Sequence, residues 1–201
     1  MPETAPGLNP NLPLGPGSLV LIVGPSGAGK DTLLGYARER LQGSQHVLFP
    51  RRIITRPAEP AVEDHDTVDE AEFGAMLAEG RFALHWSAHG LHYGIPCTID
   101  QGIGQGRVVV INVSRRIVAA AQARYAKVLS VEVTAPAALL AQRLGQRGRE
   151  NAAAIEHRLA RTAENFAGAD CVQLINDGPV ARAGERLLAI IADQLSQRAL
   201  P

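Results

Sequence analysis

Leu19-Val-Leu-Ile-Val23 is a short unbroken apolar run, and related patterns return at Val108-Val-Val-Ile111, Leu129-Ser-Val-Glu-Val133 and Val172-Gln-Leu-Ile175. Runs that stay apolar at consecutive positions suit strands buried on both faces, as in a parallel sheet covered by helices. Helical patterns fill the intervals, over 30–42, 114–125, 136–146, 151–166 and 179–198. Alternation of strand and helix predicts an open α/β sheet with right-handed crossovers.

Two segments depart from that rhythm. Residues 1–17 are rich in Pro, Gly and Asn; Pro removes a backbone donor, so the reading is a flexible tail. Between 56 and 105 the pattern predicts a small inserted unit. Asp69-Glu-Ala-Glu72 resembles a capping box that opens a helix to about Glu79. Phe82 to Tyr93, with His89-Gly90 at its centre, predicts a hairpin. The core is then 18–55 together with 106–200. A Gly-x-Gly-x-Gly at 102–106 precedes a strand where a dinucleotide fingerprint would follow one, so it is read as a loop.

Composition narrows the function. The chain has 201 residues, 46% hydrophobic and 20% charged, which excludes wholesale disorder. Twenty basic and twenty acidic residues cancel, so no global field draws nucleic acid and any anion site is local. Cys97 and Cys171 stand far apart and suggest neither a disulfide framework nor a zinc site. No apolar run approaches the ~18 residues of a membrane span. The expectation is a cytoplasmic protein with no nucleic-acid or membrane partner.

The chemistry-bearing motif is Gly24-Pro25-Ser26-Gly27-Ala28-Gly29-Lys30, placed between the first predicted strand and the first helix. Its G-x-x-x-x-G-K spacing is that of a nucleoside-triphosphate phosphate loop. Glycines let the backbone wrap closely enough for N–H groups to point at phosphate oxygens, and the helix N-terminus adds its dipole. Lys30 supplies a flexible point charge for the outer phosphates. The next residue is commonly a Ser or Thr that ligates magnesium; here it is Asp31, followed by Thr32. An acid beside a triphosphate is repelled unless a cation intervenes, so Asp31 is read as acting on Mg²⁺. The alternative is an acid favoured by the helix dipole alone.

GPSGAGKDTLL, RRIITRP (51–57), HGLHYGIP (89–96), INVSR (111–115), RLGQRGRE (143–150) and IEHRLAR (155–161) follow one another in the order found in guanylate-kinase-like phosphotransferases. The chain resembles that family over almost all of 18–198. Within it, GKD for GKS, Asn-x-Ser-Arg after the third core strand and Arg-Gly-Arg-Glu-Asn at 147–151 resemble the ribose 1,5-bisphosphate phosphokinases. The resemblance implies a three-layer P-loop kinase with a mainly parallel five-stranded core sheet, an acceptor-binding insertion and a short lid near 145–152. It implies ATP and a phosphorylated sugar as substrates, with Mg²⁺, in phosphonate metabolism and phosphoribosyl diphosphate synthesis.

The arginines and two departures give this reading residues. Of the basic residues only Lys30 and Lys127 are lysines; arginine's planar fork suits phosphoryl groups, although genome composition gives the same bias. Arg52 and Arg56 stand where the chain enters the insertion, and Arg56 matches the acceptor-phosphate arginine of guanylate kinases. Arg115 follows the third strand, at the sheet end where α/β folds bind ligands. Arg143, Arg147 and Arg149 straddle the lid, and Arg158 lies beyond it with Arg161. Each cluster has an ordinary alternative as a solvated or ion-paired helix face. Arg38, Arg40, Arg182, Arg186 and Arg198 are assigned to solvent.

Tyr93 keeps the second tyrosine of the family's Tyr-Tyr-Gly motif and is expected to bind acceptor phosphate. His85, His89 and His92 have no carboxylate or cysteine to complete a metal set. Leu84 falls where guanylate kinases carry their guanine-reading Glu, and Asn112 falls where their third core strand ends in Asp. The activity that the resemblance implies, with these departures from guanylate kinases, is ATP-dependent phosphorylation of ribose 1,5-bisphosphate. Lys30, Arg143, Arg147 and Arg149 would share the developing charge. A nucleoside monophosphate kinase is the alternative of the same class, and a non-catalytic interaction module the alternative of another.

Overall fold

Strand β1 (Ser18–Val23) is buried at every position, and its placement explains its composition. The computed structural model describes residues 12–56, 65–146 and 171–197. In it β1 is central to a five-stranded sheet with β2 (Val47–Leu48), β7 (Val108–Asn112), β8 (Val128–Thr134) and β9 (Cys171–Ile175), in the order β2-β7-β1-β8-β9. All the pairings are parallel. The register sets Ile22 beside Asn112 and Val23 beside Glu132, so the strands end together at one carboxyl edge.

Alternate residues of β1 feed two apolar layers. Val20 and Ile22 pack with Leu33, Leu34 and Ala37 of α1 (Lys30–Arg40), Leu140 of α5 (Ala137–Gln146) and Leu187 of α6 (Val180–Ser196). Leu19, Leu21 and Val23 face the opposite layer, with Ile99 and Ile103 of α3 (Thr98–Gly104) and Val118 and Ala121 of α4 (Val118–Arg124). Each strand residue thus meets a helix on one side or the other, which is why polar alternation is missing from these runs.

The inserted unit is built on a second sheet, β4-β3-β6-β5, from β3 (Arg52–Ile54), β4 (His65–Thr67), β5 (Phe82–Ala88) and β6 (Leu91–Pro96). The β5–β6 hairpin turns at His89 and Gly90, both at positive φ (55° and 72°). That is the backbone a two-residue hairpin turn requires. Helix α2 (Glu70–Ala78) starts where the capping pattern predicts, with the Asp69 side chain accepting from the Glu72 N–H at 2.7 Å.

Three expectations need correction. The second sheet takes in Arg52–Ile54, on the core side of the boundary expected at 56. The glycine-rich stretch read as a loop is in part helix α3: Ile99 and Ile103, four apart, bury on one face, and Gly102 leaves room for Leu48. The free tail is not free over its last residues. Leu14 donates to the Arg124 carbonyl and accepts from the Ala126 N–H, both at 2.8 Å, and Gly17 donates to the Ile103 carbonyl at 2.9 Å. No helix among the described residues is long and apolar enough to cross a membrane.

Candidate phosphate-binding site

Between β1 and α1 the loop Gly24–Lys30 folds with Gly24, Gly27 and Gly29 at φ 135°, 83° and 88°. Two of these positions exclude a side chain on space as well as on φ. A Cβ on Gly24 would lie 2.1 Å from the Val133 carbonyl oxygen, and one on Gly29 2.4 Å from Asn176 Nδ2. Left-handed residues at this spacing turn successive N–H groups toward one concavity, the arrangement that receives phosphate. Lys30 Nζ donates to the carbonyls of Gly24 and Pro25, each at 2.9 Å, so the ammonium lies across the loop. Thr32 is exposed and Ser26 half-buried.

Asp31 occupies the first turn of α1, with its side chain 39% exposed. Asn112, at the carboxyl end of β7 and only 6% exposed, donates its amide to Asp31 Oδ1. Arg52, 8% exposed at the start of β3, brings a guanidinium nitrogen to 4.0 Å from the same oxygen. These three side chains and Arg38 line a cavity of about 90 Å³. The loop helix, the core sheet and the inserted sheet therefore converge on one carboxylate. Arg38 corrects its assignment to solvent: it is half-buried and seven residues, two turns, beyond Asp31 on α1. That spacing was the signal available in the sequence.

Arg56 is half-buried where the chain leaves β3, beyond a reciprocal pair of bonds. The Thr55 N–H donates to the His92 carbonyl at 3.1 Å, and the His92 N–H donates to Thr55 Oγ1 at 2.9 Å. Tyr93, opposite Ile54 in the ladder, stacks its ring on Trp86 at 5.1 Å with the planes 4° apart. Stacking fixes the ring and leaves the phenol oxygen to set its use. His92 bonds Ser87 Oγ through Nδ1 at 2.8 Å and stacks on Phe73. Leu84 is 4% exposed, inside the apolar layer beneath the hairpin.

Arg143, in the last turn of α5, reaches the Gly27 carbonyl at 3.5 Å, which sets it on the loop side of the cleft. Arg115 makes a 2.6 Å ion pair with Glu132, a buried acid of β8. Arg147, Arg149, Arg158 and most of the expected lid lie outside the described residues. Two buried polar residues beside these groups were not foreseen. Glu132 was hidden within a strand pattern, and Asn176 follows β9 as a single polar residue with no spacing to mark it.

No protein-family model matches the chain. Among curated proteins it is 49% identical over 174 residues to the ribose 1,5-bisphosphate phosphokinase PhnN of Methylobacterium radiotolerans, covering 87% of this chain and 97% of that one. The protein of the same name from Acidiphilium cryptum is 51% identical over 175 residues, covering 87% and 92%. That from Pseudofrankia inefficax is 46% identical over 180, covering 90% and 93%. Among solved structures, a guanylate kinase from Anaplasma phagocytophilum superposes with TM-score 0.65 at 18% identity, covering 89% of this chain and 87% of that one. A likeness at that identity establishes the shared fold.

Proposed function

The chain belongs to the ribose 1,5-bisphosphate phosphokinase family, and from this premise we propose how its cleft transfers the γ-phosphoryl group of ATP to the 1-phosphate of ribose 1,5-bisphosphate. The products are ADP and 5-phospho-α-D-ribose 1-diphosphate. What carries the reading is relatives of that name matched along nearly their whole length, in a chain whose phosphate loop leads directly into Asp31, which lines one cavity with Arg52.

Phosphoryl transfer asks the protein mainly for position and for charge. The loop N–H groups and Lys30 hold the donor phosphates, with Lys30 exchanging its carbonyl partners for phosphate oxygens. Arg143, on the loop side, takes up charge on the transferred group, and Arg147 and Arg149 are assigned the same role from sequence. Arg52, Arg56 and Tyr93 hold the acceptor, and Arg115 and Arg158 are assigned to it from sequence. A phosphate acceptor is ionised near neutral pH, so no general base is required.

The donor set fits a magnesium ion. Asp31 offers a hard carboxylate oxygen at the start of the loop helix, and Asn112 fixes its rotamer without competing as an anion. Mg²⁺ held there by Asp31 would neutralise charge on the donor phosphates.

Guanylate kinase activity is not favoured. A guanine edge presents N–H donors, and Leu84, at the position matched to the guanine-reading Glu, is buried in the core layer and offers the cleft no acceptor. The test is one coupled ADP-release assay on purified protein with ATP and either ribose 1,5-bisphosphate or GMP. Turnover with the bisphosphate and little with GMP is the expected result; preference for GMP overturns the proposal.

A further inference from the structure

Asn176, the residue after β9, is 4% exposed and bonded on two sides. Its backbone N–H donates to the Thr134 carbonyl at 2.7 Å, extending the β8–β9 ladder by one step. Its side-chain Nδ2 donates to the Ala28 carbonyl at 2.8 Å. The ladder bond fixes the backbone, so the amide reaches the phosphate loop from a rigid edge of the sheet.

That second bond has a geometric consequence. The Ala28 carbonyl and the Gly29 N–H belong to one planar trans peptide and point in opposite directions. Because Asn176 draws the carbonyl into the protein, the Gly29 N–H is turned to the open side of the loop, where the donor phosphates go. Asn176 also occupies the space a Gly29 side chain would need, its Nδ2 standing 2.4 Å from that Cβ position. Its own carbonyl oxygen is buried with no hydrogen-bond partner among the described residues. A side chain kept for packing alone would not carry an unpaired acceptor inside; what the amide supplies here is its donated bond.

We propose that Asn176 is a positioning residue for nucleotide binding, setting the Ala28–Gly29 peptide so that the Gly29 N–H meets phosphate. The inference rests on the reading that this loop holds a nucleotide, and ADP alone, with no acceptor present, separates the two. If the wild-type protein fails to bind ADP, the underlying reading falls. If it binds and the variants bind alike, only the role of Asn176 falls.

Asn176→Asp keeps the shape and loses the donor; Asn176→Ala removes both. In each, ADP affinity measured by calorimetry is expected to drop at least fivefold, with the KM for the sugar bisphosphate within threefold of wild type. The chemical-shift response of the Gly29 amide to ADP should shrink to less than half. A smaller loss of affinity, an unchanged Gly29 response, or an equal loss on the acceptor side overturns the proposal. A measurement on the unaltered chain guards against variants that do not fold. The Gly29 amide should exchange rapidly with solvent in the free protein and become protected when ADP is added. A Gly29 amide already protected without ADP refutes the assigned orientation.

Discussion

Asn112 donates its side-chain amide to the Asp31 carboxylate, joining the end of β7 to the first turn of α1. Each residue departs from what its position commonly holds in guanylate-kinase-like enzymes: an acid stands where a hydroxyl is common, and an amide where an acid is. The contact shows that these departures are local partners. An Asp at both positions would set two carboxylates within hydrogen-bond reach, where mutual repulsion raises one pKa. An amide at 112 orients the acid instead.

Replacing Asp31 by Asn is therefore expected to raise the half-saturating Mg²⁺ concentration about tenfold, the scale on which ligand and supporting changes act in metal sites. Melting temperature should hold within a few degrees, because Asp31 is partly exposed. A magnesium titration of activity and a Mn²⁺ binding isotherm check it together. Both curves unchanged would remove the metal role and leave Asp31 as an anchor for Arg52.

Lys30→Ala should lower kcat by at least about 10²-fold, the scale of losing one charge-stabilising donor in a low-dielectric site. The fold should persist, since Lys30 is half-buried at the end of a surface loop and outside the packed core. Steady-state kinetics beside circular dichroism test this. Activity within tenfold of wild type counts against the loop as the catalytic phosphate cradle.

How far the sequence reveals this arrangement follows from which forces act locally. The four apolar core strands, the helices expected over 30–42, 114–125, 136–146 and 179–198, the Asp69 cap and the His89-Gly90 turn were legible because burial periodicity and φ preferences act over a few residues. The helix expected over 151–166 lies outside the described residues. The loop was legible because phosphate wrapping demands glycine at fixed spacing. Helix α3 was not, since Gly102 and Gly104 lower local helix propensity, while burial of Ile99 and Ile103 is decided by the sheet they meet. Nor were Asn176 and Glu132, each a single polar residue whose partner lies far along the chain. Docking of Leu14 depends on open carbonyl and N–H groups at Arg124 and Ala126, which no pattern near Leu14 announces.

That docking gives the last residues of the segment read as a flexible tail a part in stability. A chain starting at Leu12 should match the full chain in melting temperature more closely than one starting at Gly17. The latter loses both Leu14 backbone bonds and is expected to be about 1–3 kcal/mol less stable. Activity should be unchanged in both. Leu14 and Gly17 bond the starting ends of the strands, opposite the loop. Chemical denaturation of the two shortened chains decides it, and equal midpoints would show that Leu14 adds nothing.

Tyr125 gives the stability an alkaline limit. It is 2% exposed, donates to Asp100 Oδ1 at 2.6 Å and lies beside Arg124, which also bonds Asp100. Burial, and then the bond to Asp100, push its phenol well above the usual tyrosine range. The folded pKa is above the unfolded one, so the folded state binds the proton more tightly. This contribution is complete below about pH 10 and is lost as pH rises above that value. Tyr125→Phe should melt lower at pH 7, by the ~1–3 kcal/mol of a hydrogen bond to a charged group, yet lose less between pH 9 and 11 than wild type. Parallel slopes for the two proteins would exclude Tyr125 as the source.

Selectivity for a sugar bisphosphate over a nucleotide should be large, and Leu84 shows why a single substitution cannot reverse it. Leu84 pairs with Ile95 across the hairpin and packs among β1 and β7 side chains, at 4% exposure. Packed there, Leu84 gives a guanine in the cleft no acceptor, and each guanine N–H left unpaired costs roughly 1–3 kcal/mol. Two such groups, with the orientation they fail to supply, imply a preference in kcat/KM of at least about 10³ for ribose 1,5-bisphosphate over GMP. The groups assigned to the acceptor, Arg52, Arg56 and Tyr93, suit anionic ends and offer no pattern for a base. Leu84→Glu would set an unpaired carboxylate inside the apolar layer, so its expected effect is a large drop in melting temperature without gain of GMP turnover. Competition kinetics with both acceptors at saturating ATP measure the ratio. Comparable values would mean that the acceptor pocket reads something other than the phosphates, and a folded, GMP-active Leu84→Glu protein would show that Leu84 faces the cleft instead of the core.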